Sequence, residues 1–480
     1  MELIAVNEES KIELIPGTYI HLVGIGGFGL SAIARVLLGR GFRVSGSDQQ
    51  LNDITAGLEE IGAEIHEGHA AENIAGADLI LISSAIPGGN PEVTEARKQG
   101  IPVVKRSVFL ESLLRGKKTI AVAGTHGKTT TTSLIAKIIL DAGMDPSIIV
   151  GGILPEIGGN GRAGSGDYFL IEADEYDHMF LGLAPYVSVV TNIDFDHPDM
   201  FPSRTIYQNV FKEYVQKHKG GSLIVVNSDD DAAQEIVVNN AAAGVKIETY
   251  GLESGFWRAL ELRPNQIGGT DFVVQKNGLD LGLARLIIPG KHNVLNALGA
   301  IAVASSLGLD VHMIHRSLGQ FGGVNRRFEL KGEVGSVTVI DDYAHHPAEI
   351  RATLRAAREQ FPGRLIWAVW QPHTYSRVKH LMADFETCFA DADQVVALDV
   401  YKSRETNKKQ ISGEEISSAV KHPNISYQET IESAAKFILD TVVPGDLLIT
   451  LTAGDGNVVG DKVLDGLRHR QLSNSGKPDK

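Results

Sequence analysis

Disulfide pairs, membrane-length apolar runs and an excess of basic residues are all missing from this chain. Cys388 is its one cysteine, which excludes an internal disulfide framework and suits a reducing compartment, with the thiol packing as a small apolar group. No run of about 18 apolar residues occurs, so no membrane-spanning helix is expected, and a cytoplasmic location is. Residues 1–9 are acidic and hold no basic segment followed by a long apolar one, so no signal peptide is expected either. Acidic side chains outnumber basic ones 59 to 45, a net charge of −14. That argues against a protein that tracks nucleic-acid phosphates. It leaves single nucleotides open, because local N–H groups and a few cations hold those. Repeats of solenoid period are absent too.

What the chain does contain is 480 residues of ordinary globular composition, 43% hydrophobic and 22% charged, enough for two to four domains. Short apolar runs alternate with helix-like segments, which predicts α/β units with mostly parallel sheets. In the first unit, residues 1–117, the expected strands are 19–25, 42–47, 79–85 and 102–105. In the second, 118–326, they are 119–123, 168–171, 187–192 and 222–227, then a small antiparallel insert in 249–286 and a helix over 293–307. In the third, 327–480, they are 337–341, 365–370, 394–400 and 447–452. The polar tail from residue 471 is expected to fray.

One stretch carries more chemistry than any other. The apolar strand ending at Ala123 runs into Gly124-Thr125-His126-Gly127-Lys128-Thr129-Thr130 and then a helix-forming run. Backbone N–H groups of such a turn cradle phosphates, the lysine reaches the outer phosphates of a nucleoside triphosphate, and the first hydroxyl binds Mg²⁺. The general phosphate-loop pattern would need glycine at 122, where this chain has Val122. Gly24-Ile25-Gly26-Gly27-Phe28-Gly29 likewise follows a strand and opens a helix, with Asp48 closing the next strand. That spacing suits any pyrophosphate-bearing nucleotide, NAD included, or a tight turn with no ligand. Carboxylates at 172, 174, 175 and 177, and again Asp194 and Asp196 before His197, lie at strand ends where a cation would relieve their repulsion. Asn293, with His292 and Asn296 beside it, either caps a helix or contacts a nucleotide. Tyr343, His345, His346, His373 and Arg377 fall at strand ends of the third unit, where α/β sheets form their crevice.

Together these segments, in this order along nearly the whole chain, resemble the Mur ligases of peptidoglycan synthesis. Within that family they are similar to the members that join L-alanine to UDP-N-acetylmuramate. The resemblance implies a Rossmann-like first domain for the UDP-sugar, a central ATPase and a Rossmann-like third domain for the amino acid. It implies ATP and Mg²⁺ as cofactors and a monomer or weak homodimer serving cell-wall biogenesis, hence cell shape and division. Lys128, Glu172 and His197 would be catalytic, and Thr129, Glu172 and His197 would hold metal. Gly124 to Thr130, His292, Asn293, Asn296 and Arg326 would bind ATP. Gly24, Gly26, Gly27, Gly29, Asp48, His69, Ser84, Arg106, Thr191 and Asn192 would bind the UDP-sugar. Tyr343, His345 and Arg377 would receive alanine. Some members carry arginine where this chain has Thr374, so the amino-acid carboxylate would lean on Arg377 alone. The runner-up is a ligase adding a recycled murein tripeptide to the same sugar nucleotide. An NAD-dependent dehydrogenase would leave the Lys128 loop unexplained, and a nucleotide-switched binding protein would not need the sugar and amino-acid sites.

Overall fold

A computed structural model of the chain describes residues 14–475 apart from residues 16, 404 and 406–410. Three sheets follow one another. In the first, β1 (Tyr19–Val23), β2 (Arg43–Asp48), β3 (Glu64–Glu67), β4 (Leu79–Ile82) and β5 (Val103–Lys105) run parallel in the order β3-β2-β1-β4-β5. The order reverses between β1 and β4, so their carboxyl ends open a crevice there. Gly24 leaves β1 at that point with φ +85°, a conformation side chains rarely adopt.

The second sheet has ten strands: β6 (Lys118–Ala123), β7 (Ser147–Leu154), β8 (Gly159–Arg162), β9 (Tyr168–Glu172), β10 (Val187–Val190), β11 (Leu223–Asn227), β12 (Lys246–Gly251), β13 (Trp257–Pro264), β14 (Thr270–Lys276) and β15 (Leu279–Arg285). Their order is β15-β14-β13-β12-β11-β10-β6-β9-β7-β8. The middle strands pair in parallel and are apolar on both faces, Ile120 to Ala123 being fully buried, as helix-covered parallel strands must be. The third sheet orders β16 (Glu329–Val334), β17 (Val337–Asp342), β18 (Ile366–Trp370), β19 (Gln394–Leu398), β20 (Ile425–Gln428) and β21 (Leu447–Leu451) as β16-β17-β21-β18-β19-β20, antiparallel only at β16. The fold is thus three α/β domains with mostly parallel sheets, as expected.

Strands β3, β7, β8, β16 and β20 escaped the periodicity reading. Four of them, β3, β8, β16 and β20, are edge strands with polar or glycine-rich sequences, and β7, beside the edge strand β8, is broken by Gly151 and Gly152. The antiparallel insert exists as β13 to β15, but it extends the central sheet through β12 rather than standing apart. The tail does not fray at residue 471: the last helix, Val458–Ser475, runs past it, and residues 476–480 lie outside the described part. Among the described residues no helix is long and apolar enough to cross a membrane.

The first two domains share one apolar core. Ile33, Val36 and Phe109 of the first belong to the same buried cluster as Ile149, Phe169 and Phe180 of the second. The helix Phe28–Gly39 packs on β8, where Asn160 donates to Phe28 O (2.9 Å) and Ser31 Oγ (2.8 Å). A Cβ on Gly161 would stand 2.8 Å from Ala32 Cα and strike the adjoining carbonyl. The third domain keeps its own core, and among the described hydrophobic residues of the second domain half-buried Phe195 packs against it. Gly161→Val should therefore pry the first two domains apart, destabilising the chain by about 1–3 kcal/mol. Urea unfolding measures this, and an unmoved midpoint would contradict the shared core.

Candidate active site

Strand β6 delivers the phosphate loop. Gly124 (φ +134°) and Gly127 (φ +79°) both need backbone that favours glycine. Side chains there would also collide with Thr191 and Asn296 respectively. The helix Lys128–Asp141 starts at once, so its unpaired N–H groups face the loop mouth. Lys128 Nζ donates to Glu175 Oε2 (2.8 Å) and to the carbonyls of Gly124 (2.6 Å) and Thr125 (3.0 Å). Burial works against its charge, but Glu175, Asp174 and Glu172 outweigh that and hold its pKa above the ordinary value.

The Thr129 hydroxyl donates to Glu172 Oε1 (3.0 Å), and the Gly151 N–H donates to Glu172 Oε2 (2.7 Å). Burial raises the Glu172 carboxyl above the usual range, with Lys128 pulling the other way. A half-buried carboxylate beside a hydroxyl offers the oxygen ligands that fit a hard divalent cation. His197 Nε2 lies 3.9 Å from Glu175 Oε1 on the same cleft wall. His126 stands between Glu349 Oε1 (3.2 Å) and Asp194 Oδ2 (3.5 Å). Burial disfavours its protonation, yet these two carboxylates raise its pKa to about 9.

Two clefts meet at Gly127. The smaller, about 230 Å³, is lined by Thr130, Asn192, His292, Asn293 and Asn296, among others. Asn293 is not the helix cap. Gly290 holds that position, and the Asn293 amide donates to Pro289 O at 2.6 Å. Burial keeps His292 neutral, with a pKa of about 4. The larger cleft, about 620 Å³, draws its walls from all three domains. Gly24, Gly27, Gly29, Ser84 and Arg106 come from the first, Lys128, Thr129, Glu172 and His197 from the second, and Tyr343, His345, His373 and Arg377 from the third.

Several expected residues are placed otherwise. Thr191 and Asn192 do not line the large cleft. They clamp the phosphate loop, through Thr191 Oγ1 to His126 O (2.7 Å) and Asn192 Oδ1 from the His126 N–H (2.8 Å), and border the small cleft. Arg326 borders neither cleft. Its positive φ of 61° turns the guanidinium back onto Asp341 (3.0 Å) and the Thr452 carbonyl (2.8 Å), while Arg327 borders both clefts. Asp48 accepts from the Gly26 N–H (2.9 Å), behind the glycine turn. His69 is held by Ser47 (2.9 Å) and fully buried Glu92 (3.0 Å), outside the cleft lining.

Arg377 is almost wholly buried and grips Asp196 of the second domain by two bonds, 2.8 and 3.2 Å. Burial opposes ionisation of Asp196, but Arg377 and then His197 hold its carboxyl well below the carboxylate range. Burial, then Arg377, keep His345 neutral with a pKa of about 4. Glu349 and Arg327 were not singled out from sequence as binding residues, and Asp196, read as one of the strand-end acids for a cation, pairs instead with Arg377. Glu349 carried a local signal, since its spacing from His346 completes a capping box.

A three-domain α/β enzyme with a nucleotide-type phosphate loop at the meeting point of its domains is the class this geometry defines. The chain matches the family models described as "Mur ligase family, catalytic domain" over residues 19–118, "Mur ligase middle domain" over 122–304 and "Mur ligase, glutamate ligase domain" over 326–454. It belongs to the Mur ligase family. A UDP-N-acetylmuramate–L-alanine ligase of Geobacter sp. (strain M21) is 42% identical over 449 residues, 93% of this chain and 96% of that one. The crystal structure of a UDP-N-acetylmuramate–alanine ligase from Thermotoga maritima superposes with a TM-score of 0.80 at 30% identity, covering 95% of this chain and 99% of that one. A murein peptide ligase from Psychrobacter arcticus 273-4 superposes with 0.73 at 26%, covering 94% and 99%.

The Arg377–Asp196 pair is the most buried tie between the second and third domains. Breaking one half of such a pair strands the other charge, at about 3–5 kcal/mol. Asp196→Asn should loosen the docked third domain and enlarge the radius of gyration in small-angle scattering. An unchanged scattering curve would show that other contacts hold the domain.

Proposed function

We propose that this protein joins L-alanine to the lactyl carboxylate of UDP-N-acetylmuramate, turning ATP into ADP and phosphate, in cytoplasmic peptidoglycan precursor synthesis. The observation that carries the reading is the single cleft on which Lys128, Thr129 and Glu172 face the first domain's glycine turn and the third domain's Tyr343, His345 and Arg377. Residues 1–117 would bind the UDP-sugar, 118–326 ATP, and 327–480 the amino acid. The base and ribose of ATP fit the small cleft of Thr130, His292, Asn293 and Asn296. Its phosphates pass Gly127 into the large one.

Phosphoryl transfer between two anions needs positioning and neutralisation of charge above all. The sugar's carboxylate oxygen attacks the γ-phosphorus, the bond to the β–γ bridging oxygen breaks, and ADP leaves an acyl phosphate. Lys128 exchanges Glu175 for the γ-phosphoryl oxygens as charge moves across them. Mg²⁺, held by Thr129, Glu172 and His197, would supply further neutralisation there. In place of Arg326, Arg327 is the arginine facing the phosphates. The amine of alanine then attacks the acyl carbonyl, and phosphate departs. His345 is neutral at physiological pH and can accept a hydrogen bond from that amine, while Arg377 faces the amino-acid carboxylate.

Support for alanine over the tripeptide comes from the 42% identical relative over 93% of the chain, and from the superposition, where the alanine ligase reaches a TM-score of 0.80 and the murein peptide ligase 0.73. ADP release with UDP-N-acetylmuramate and Mg-ATP should follow L-alanine and not the murein tripeptide; the reverse preference would give the runner-up its place. Lys128→Ala should lower kcat by at least about 10²–10³-fold while sparing sugar-nucleotide binding, because its interaction belongs to the transition state. Near-normal kcat would remove the lysine from the mechanism.

A further inference from the structure

Beside the reaction cleft, two histidines and a carboxylate meet across the seam between the second and third domains. His126 lies in the phosphate loop, Asp194 lies beyond β10, and His346 is the N-cap of the helix Pro347–Gln360. One ligand atom from each lies within 4.8 Å of the other two. Asp194 Oδ2 stands 3.5 Å from His126 Nε2 and 3.8 Å from His346 Nδ1, and the two rings are 4.5 Å apart. A tetrahedral ion with ligands at about 2.0–2.1 Å asks for ligand atoms about 3.3 Å apart.

The opposite side of each group is already engaged. His126 Nδ1 faces Glu349 Oε1 at 3.2 Å, and His346 Nε2 faces Phe195 O at 3.4 Å. Asp194 Oδ1 accepts from the Phe195 N–H at 2.8 Å. The Ala348 N–H points at His346 Nδ1 over a long 3.3 Å, which places the lone pair of that ring on Nδ1. A carboxylate or carbonyl behind each imidazole, with the other ring nitrogen turned toward Asp194, is the arrangement that supports metal-bound histidines. A proton now shared by His126 with its two carboxylates would leave as the ion arrives, and the long Ala348 bond would yield to it.

We propose that His126, Asp194 and His346 form a site for a borderline-soft divalent cation of the Zn²⁺ type, with Glu349 and the Phe195 carbonyl as outer supports. The site is argued from its own geometry and stands whether or not that reading holds, although His126 and Glu349 also border the small cleft. An ion there ties the third domain to the phosphate loop. Two nitrogens and one oxygen disfavour Mg²⁺, which prefers oxygen ligands in octahedral array.

Co²⁺ added to the full chain in excess Mg²⁺ tests the site. Intense visible bands of four-coordinate Co²⁺ should saturate at about one equivalent and vanish on adding Zn²⁺. Asp194→Asn and His346→Gln should each abolish them, His197→Gln should keep them, and Glu349→Gln should weaken binding about 10–100-fold. Only the weak spectrum of six-coordinate Co²⁺, bands that survive in both Asp194→Asn and His346→Gln, or bands lost with His197→Gln would overturn the proposal. Should His346→Gln fail to fold by circular dichroism, Asp194→Asn decides.

Discussion

The central domain gathers more carboxylate at its strand ends than it can neutralise from its own residues. Glu175 and Asp196 are buried and Glu172, Asp174 and Asp194 half-buried at the ends of β9 and β10, and among the described residues of that domain Lys128, Arg204 and the histidines answer them. Further positive charge is borrowed: Arg106 of the first domain pairs with Asp174 at 3.3 Å, and Arg377 of the third with Asp196 at 2.8 Å. Buried charges persist only when paired, so the acids recruit both neighbours. The cleft exists where they meet.

The same arrangement explains why the cations that border the cleft are engaged with protein. Lys128 rests on Glu175, Arg106 on Asp174 and Arg377 on Asp196. Each of these cations therefore has a carboxylate partner already in place, so none of them stands in the cleft as an uncompensated charge.

What could be read from the residues alone was what is local. A glycine turn between a buried strand and a helix, and acids at the ends of apolar strands, put Lys128, Thr129 and Glu172 near one another before any coordinates. The central parallel strands were equally plain, since burial on both faces leaves an unbroken apolar run. Illegible features depend on distant partners or on one backbone angle. Nothing near Arg377 announces Asp196, 181 positions away. Which of Arg326 and Arg327 borders the clefts depends on the positive φ at Arg326. Thr191 and Asn192 hold the phosphate loop because strand β10 lies directly against β6, a pairing that the order of strands along the chain does not reveal. Edge strands such as β3 and β20 are polar enough to pass for loops.

The two seams of the molecule differ in kind. Between the first and second domains lies continuous hydrocarbon with Asn160 stitched across it. Between the second and third lie chiefly hydrogen-bonded ions, with a single phenylalanine at their margin. Water can solvate the second seam when it parts but pays heavily to wet the first. The first two domains are thus one body by their shared hydrocarbon, while the third is joined to them by charged groups and by residues 324–328, where Arg326 and Phe328 both take positive φ.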